Sequence, residues 1–163
     1  MAKNKEEKTT VMRVLEQKKI AYTAHTYPHE EGVAVDGVTV AQSMGFDPAA
    51  VFKTLVARGA SKQYYVFDVP VAENLDLKKA AKAVGEKSIE MIHQKELLPL
   101  TGYVHGGCSP VGMKKLFPTV FHSSAENLAA MIVSAGKIGY QVELAPHDLA
   151  ALVRAKFADI IVE

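Results

Sequence analysis

The run Val51-Phe52-Lys53-Thr54-Leu55-Val56-Ala57-Arg58-Gly59-Ala60-Ser61-Lys62-Gln63-Tyr64-Tyr65-Val66-Phe67-Asp68-Val69-Pro70 sets the architecture of this chain. Residues 51–57 read as one strand, and the aromatic, valine-rich stretch over 64–69 reads as a second. Gly59-Ala60-Ser61-Lys62 turns the chain between them, and Pro70, which has no N–H for a ladder, ends the second strand. Alternation puts Lys53 on one face with Val51, Leu55 and Ala57, and leaves Phe52, Thr54 and Val56 on the other.

Upstream of this pair, Asp47-Pro48 starts a turn. Thr39-x-x-Gln42 has the form of a capping box and, with Gly45 as its stop, predicts a short helix over 40–44. Pro28 to Gly37 reads as loop, residues 21–27 as strand, and Val11, Val14, Leu15 and Lys18 fall at helical spacing behind a Thr9 or Thr10 cap. Downstream, Asp76 as N-cap, Leu77, Ala80, Ala81 and Val84 as one apolar face, and Gly85 just past the end define a helix. A short apolar run over 89–92, a helical piece over 94–98 and a loop over 103–112 follow. Strands are expected over 119–122, 131–135 and 140–144, with Ser123-x-x-Glu126 as a second capping box and a turn over 136–139. Pro146 opens a helix to about 156, and residues 157–162 close the chain. Strands and helices mix without strict βαβ alternation, so the expected fold is mixed α/β with a largely antiparallel or mixed sheet.

At 163 residues, 48% hydrophobic and 23% charged, the chain is expected to be one globular domain over 1–163, with its charged residues 1–8 frayed. Nineteen Lys and Arg against 18 Asp and Glu give a net charge of +1, which excludes a polycation or an acidic tail. The single cysteine, Cys108, excludes an internal disulfide and a multi-cysteine zinc site. MAKNKEEK lacks the apolar core of a signal peptide, and no apolar run approaches the ~18 residues of a membrane span. A cytoplasmic protein is expected.

Lys53, a lysine among apolar neighbours near a strand start, is either held at a cleft rim or blocks a sheet edge. Gly106-Gly107-Cys108-Ser109-Pro110-Val111-Gly112 is either a tight connection or a nest of main-chain donors that grips an anion. Its spacing is neither that of a Walker A loop nor of a dinucleotide fingerprint. Cys108 is a packed small side chain or a nucleophile with His105 nearby. His25 and His29 share a segment that reads as strand and loop, which argues against a metal pair. Lys78, Lys79, Lys82, Lys114, Lys115 and Lys137 form locally basic stretches, either solvated faces or a path for a polyanion.

Four blocks carry a resemblance. Val51-Phe52-Lys53-Thr54-Leu55, Leu75-Asp76-Leu77-Lys78-Lys79-Ala80-Ala81-Lys82, Thr101-Gly102-Tyr103-Val104-His105-Gly106-Gly107-Cys108-Ser109-Pro110-Val111-Gly112-Met113-Lys114-Lys115 and Val133-Ser134-Ala135-Gly136-Lys137 occur in that order within about residues 9–161. They resemble the YbaK/EbsC-type Cys-tRNA(Pro) deacylases, a group related to the editing insertion domain of bacterial prolyl-tRNA synthetase. The resemblance implies a twisted, partly barrel-like mixed sheet flanked by helices, and a trans-acting enzyme that deacylates Cys-tRNA(Pro) or Cys-tRNA(Cys). It needs neither cofactor nor metal. Ala-tRNA(Pro) or broader deacylation, a non-catalytic tRNA- or synthetase-binding module and a thiol hydrolase built on Cys108 are the alternatives.

By the same resemblance, Lys53, Gly106 and Gly107 are the catalytic candidates. Tyr27, Thr54, Cys108, Ser109, Pro110, Ser134 and Gln141 are the substrate-binding ones. The six lysines named above are the tRNA-binding ones. Relatives acting on cysteine carry a phenylalanine where this chain has Val35 or Asp36, and an aspartate where it has Gln141. Aminoacyl-tRNA is the expected partner, with prolyl-tRNA synthetase in a ternary complex, and neither DNA nor a membrane is expected.

Overall fold

Local chemistry sets the helix ends in the computed structural model, which describes residues 8–30 and 32–163. Thr9 Oγ1 accepts the Met12 N–H at 3.2 Å and starts α1 (Thr10–Gln17), which buries Val11, Met12 and Leu15. Residues 1–7 of the expected frayed end lie outside the described residues, and Lys8 itself pairs with Glu16 at 2.9 Å. α2 (Gly37–Ser43) begins ahead of the expected residue 40. Asp36 takes both the Thr39 N–H (3.1 Å) and the Thr39 hydroxyl (3.2 Å), so Thr39 serves the cap instead of being it.

α3 (Leu77–Val84) matches expectation, with Asp76 accepting from Lys78 N at 2.9 Å and Lys79 N at 3.0 Å, and Gly85 ending it at φ 74°. Loss of that cap should cost about 1 kcal/mol. Asp76→Ala is therefore expected to lower the urea midpoint while leaving any activity of the cleft described below intact, since α3 does not line it. α4 (Gln94–Thr101) runs through Pro99 to Gly102, whose φ of 89° ends it, and so outlasts the expected residue 98. Residues 123–127 form a 3-10 turn without a side-chain cap, because Ser123 lies inside the turn and not ahead of it. α5 (Pro146–Val153) stops at Arg154 (φ 59°), which frees Lys156 for the closing strand.

The strands are β1 (Thr23–Thr26), β2 (Phe52–Gly59), β3 (Tyr64–Pro70), β4 (Ile89–Met91), β5 (Thr119–His122), β6 (Met131–Ser134), β7 (Tyr140–Leu144) and β8 (Lys156–Ala158). They form a five-stranded sheet in the order β4-β2-β3-β5-β8 and a three-stranded sheet in the order β1-β7-β6. The larger is mixed, antiparallel across β4, β2 and β3 and parallel from β3 through β5 to β8. The sheet is not closed into a barrel: among the described residues a single parallel bridge, Val51 to Ile132, joins the two.

The alternation read from β2 sorts the core. Phe52, Val56, Val66 and Phe121 pack against Val133 and Val142 of the small sheet and against Leu15 and Leu149 of α1 and α5. The opposite face, with Ala57, Tyr65, Phe67 and Val69, is covered by Ala80 and Ala81 of α3. At ~25 cal/mol per Å² of apolar surface, these two layers supply the main driving force for the fold. The bridge at Val51 brings the start of β2 against the small sheet, and the chain opens a cleft there.

Candidate active site

The cleft has a volume of about 550 Å³ and is lined on one side by Lys53 and Thr54 of β2. Ser134 of β6, Gln141 of β7, Tyr27 just beyond β1, and Gly106 and Cys108 of the glycine loop complete the part expected from sequence. Lys53 is half-buried, and burial lowers its pKa, while the charges of Asp36 and Glu73 push it back up. Asp36 thus caps α2, lines the cleft and faces Lys53, the only lysine in its wall among the described residues.

The glycine loop is held by contact on both sides. Gly106 sits at φ 89°, and a Cβ there would lie 2.6 Å from Ala34 Cβ; one on Gly107 would lie 3.0 Å from Ile138 N. Tyr103 clamps the far end, its hydroxyl donating to Val111 O at 2.5 Å. Gly107 N–H donates to Val104 O at 3.0 Å, whereas Gly106 and Cys108 N–H have no acceptor among the described residues. Gly106→Ala should therefore dislodge the loop, and a fall of at least tenfold in any activity of the cleft is expected in a steady-state assay.

Not every expected residue reaches the cleft. Gly107, Ser109 and Pro110 are buried and do not line it. Ser109 is fully buried, with its Oγ accepting the Val111 N–H at 3.2 Å, so it stiffens the loop from within. Ser134 Oγ accepts the Gly136 N–H at 3.1 Å, which leaves its own proton available to the cleft. Gln141, its cross-strand partner, is buried with Oε1 unpaired. Burial, with Asp68 nearby, pushes the Cys108 thiol up to about 12, so it is not a thiolate at neutral pH. His25 pairs with Glu143 at 2.8 Å and His29 bonds Tyr27 O at 2.9 Å, so the two serve separate partners.

Residues 32–152 match the aminoacyl-tRNA editing domain family. The chain belongs to that family. A candidate Cys-tRNA(Pro)/Cys-tRNA(Cys) deacylase of Enterococcus faecalis, EbsC, is 45% identical over 161 residues, covering 98% of each chain. A solved candidate trans-editing enzyme for prolyl tRNA synthetase shares the fold at a TM-score of 0.80 with 24% identity, over 97% of this chain and 100% of its own. A structure solved for epitope backbone grafting by computational design gives a TM-score of 0.81 at 25% identity, over 94% of this chain and 95% of its own. As an editing-family protein, the chain takes aminoacyl-tRNA as its substrate.

The six lysines divide on the structure. Lys78, Lys79 and Lys82 ride on α3, away from the cleft lining. Lys79 is tied to Asp159 at 3.0 Å, Ile161 O at 3.0 Å and Glu163 at 3.3 Å, a latch for the last residues. Lys114 donates to Pro99 O at 3.3 Å, and Lys115 lies 5.9 Å from the centre of the Phe117 ring. Lys137 lies 5.3 Å from the centre of the Tyr140 ring, which lines the cleft.

Asp68 has no place in the sequence reading, and Asp36 and His105 enter it only as a departure from the relatives and as the neighbour of a Cys108 nucleophile. Asp36 and His105 line the cleft, and Asp68 lies behind Thr54, whose hydroxyl donates to Asp68 Oδ1 at 2.5 Å. Asp36 could have been found from its place before a helical run, and Asp68 as the one acid in an apolar strand.

Proposed function

We propose that this protein is a trans-acting deacylase that releases tRNA from mischarged Cys-tRNA(Pro). The observation that carries the reading is the shared cleft: the Lys53 ammonium and the loop that bears the Gly106 and Cys108 N–H groups line one cavity. An ester carbonyl set against those main-chain donors would gain stabilisation as charge builds on its oxygen, an effect worth ~3–4 kcal/mol per donor in related acyl chemistry. Lys53 would hold the terminal phosphate or ribose. Since Cys108 is held as a thiol, the nucleophile is assigned to the substrate. Its cysteine sulfur attacks its own carbonyl carbon, a cyclic thioester forms, the ester C–O bond breaks, and the ribose oxygen leaves with the thiol's proton. Proximity supplies most of that rate. Editing of this kind meets a physical need, because a pocket for proline rejects a side chain of similar size by only ~1–3 kcal/mol.

Gly107 acts in this reading through loop geometry, and Ser109 and Pro110 support the loop from beneath. Tyr27, Ser134 and Gln141 contact the aminoacyl group. Lys114, Lys115 and Lys137 are assigned to tRNA phosphates near the loop, and Lys78 and Lys82 to more distant ones. Prolyl-tRNA synthetase is assigned the choice of tRNA in a ternary complex, since a chain of net charge +1 holds free tRNA weakly.

The test is deacylation of Cys-, Ala- and Pro-tRNA(Pro) side by side. Cys-tRNA(Pro) is expected to turn over at least tenfold faster than the others, and Cys108→Ala is expected to retain activity within threefold. Equal rates on Ala-tRNA(Pro) would overturn the thiol-assisted route, because alanine has no sulfur to attack. A dead Cys108→Ala enzyme with an active Lys53→Ala enzyme would instead establish the thiol hydrolase.

A further inference from the structure

Asp68 is a fully buried acid on β3, paired in register with Thr54 of β2, in a strand that is otherwise apolar apart from its tyrosines. The Thr54 hydroxyl donates to its Oδ1 at 2.5 Å, and its Oδ2 has no partner. Thr54 and Cys108 both line the cleft, and Asp68 acts electrostatically on Cys108, so the acid sits directly behind the wall. Nothing in the core calls for an acid there, because a buried carboxyl with one hydrogen bond is a net cost to the fold.

Ionised, or protonated on the unpartnered Oδ2, the Asp68 carboxyl presents Oδ1 to Thr54 as an acceptor. A threonine that must donate to it has spent its proton, and its oxygen then presents lone pairs alone to the cleft. Without Asp68, the same hydroxyl could rotate and donate to any acceptor that entered. The acid therefore decides what Thr54 can recognise. The second buried orphan in this region, Gln141 Oε1, is also an acceptor and lines the same cleft. A ligand group rich in donors and poor in acceptors fits such a wall, and positive charge on that group would keep Asp68 ionised.

The geometry points to Asp68 as a positioning residue that fixes Thr54 as a hydrogen-bond acceptor for the α-ammonium of the aminoacyl group. This rests on the deacylase reading for the identity of the ligand, and deepens it by saying how a free aminoacyl ester is told from an N-blocked one. Asp68 itself touches no substrate atom in this arrangement.

The experiment measures binding, so it does not depend on hydrolysis. The probes are 3′-deoxy-3′-(cysteinylamino)adenosine, whose amide cannot be cleaved as the ester is, and its Nα-acetyl counterpart, titrated by calorimetry into the full chain. The parent is expected to bind the free amine at least tenfold more tightly than the acetylated form. Asp68→Val and Thr54→Val should each shrink that ratio to within twofold of unity, and the double variant should lose no more than either alone. Asp68→Asn, which keeps an oxygen for Thr54, should retain most of the ratio. A general loss of structure would weaken both probes together and leave the ratio where it was. Equal affinities in the parent, or a ratio unchanged in folded Asp68→Val, would overturn the assignment. A parent that shows the ratio but never deacylates Cys-tRNA(Pro) would sink the deacylase reading and leave this one standing.

Discussion

Lys53→Ala is expected to lower kcat/KM for Cys-tRNA(Pro) by about 10², because the terminal phosphate or ribose loses its charged anchor and the ester carbonyl is no longer held against the main-chain donors. The loss should survive a return of charge as arginine. A broad planar guanidinium cannot occupy the compact ammonium's place in the cleft wall. Folding should move the other way. Burial lowers the Lys53 pKa, so between that value and the ordinary lysine value the unfolded chain binds more protons than the folded one. Carrying the charge below that window therefore costs stability, and Lys53→Met should melt at or above the parent temperature while being nearly inactive. A variant that kept full activity would remove Lys53 from the chemistry. One that lost activity and melting temperature together would mark it as a structural residue.

The second large effect concerns stability and pH. Burial raises the Asp68 carboxyl to about 7, against the single lowering influence of the Thr54 hydroxyl. In the unfolded chain the same group titrates near 4. Between those values the folded state holds the proton and the unfolded state does not, so stability falls as pH rises through about 4 to 7. Above that range the penalty is complete, on the order of 4 kcal/mol. His122 works in the opposite direction, since burial lowers its pKa and the cost of charging it in the folded state is relieved as pH rises from that lowered value up to the ordinary histidine value. The comparison that isolates Asp68 is parent against Asp68→Asn. Urea unfolding at pH 5 and pH 8 should show the parent losing a few kcal/mol relative to the variant at the higher pH. Identical slopes in the two proteins would mean that Asp68 does not titrate in this range.

Much of this was written in the sequence. The β2–β3 pair and α3 with its Asp76 and Gly85 ends rest on short-range signals, whereas the pairing of Lys53 with the glycine loop comes from the family resemblance alone, its local reading leaving both open. The failures have local causes. Thr39-x-x-Gln42 satisfies the form of a capping box, yet Asp36 one turn earlier is the stronger acceptor and takes Thr39 as its donor. Ser109 and Pro110 read as substrate-binding because they sit in a glycine-rich loop, and such loops commonly carry binding residues. Here the loop folds inward against Ala34 and Ile138, and its middle is buried. Asp68 does not stand out in the sequence, because period-two alternation accommodates one polar residue per strand. Only the second layer of packing shows that both faces of β3 are covered.

The contact between Gly106 and Ala34 has a consequence for how such a protein can diverge. The segment that carries Ala34 also carries Val35 and Asp36 into the cleft, so a bulkier residue at 34 would push on the main-chain donors opposite. New selectivity could not be reached by changing one wall at a time. Any evolutionary path, natural or in a library, would have to alter both segments in concert, and single-site screens around this cavity should return mostly dead clones.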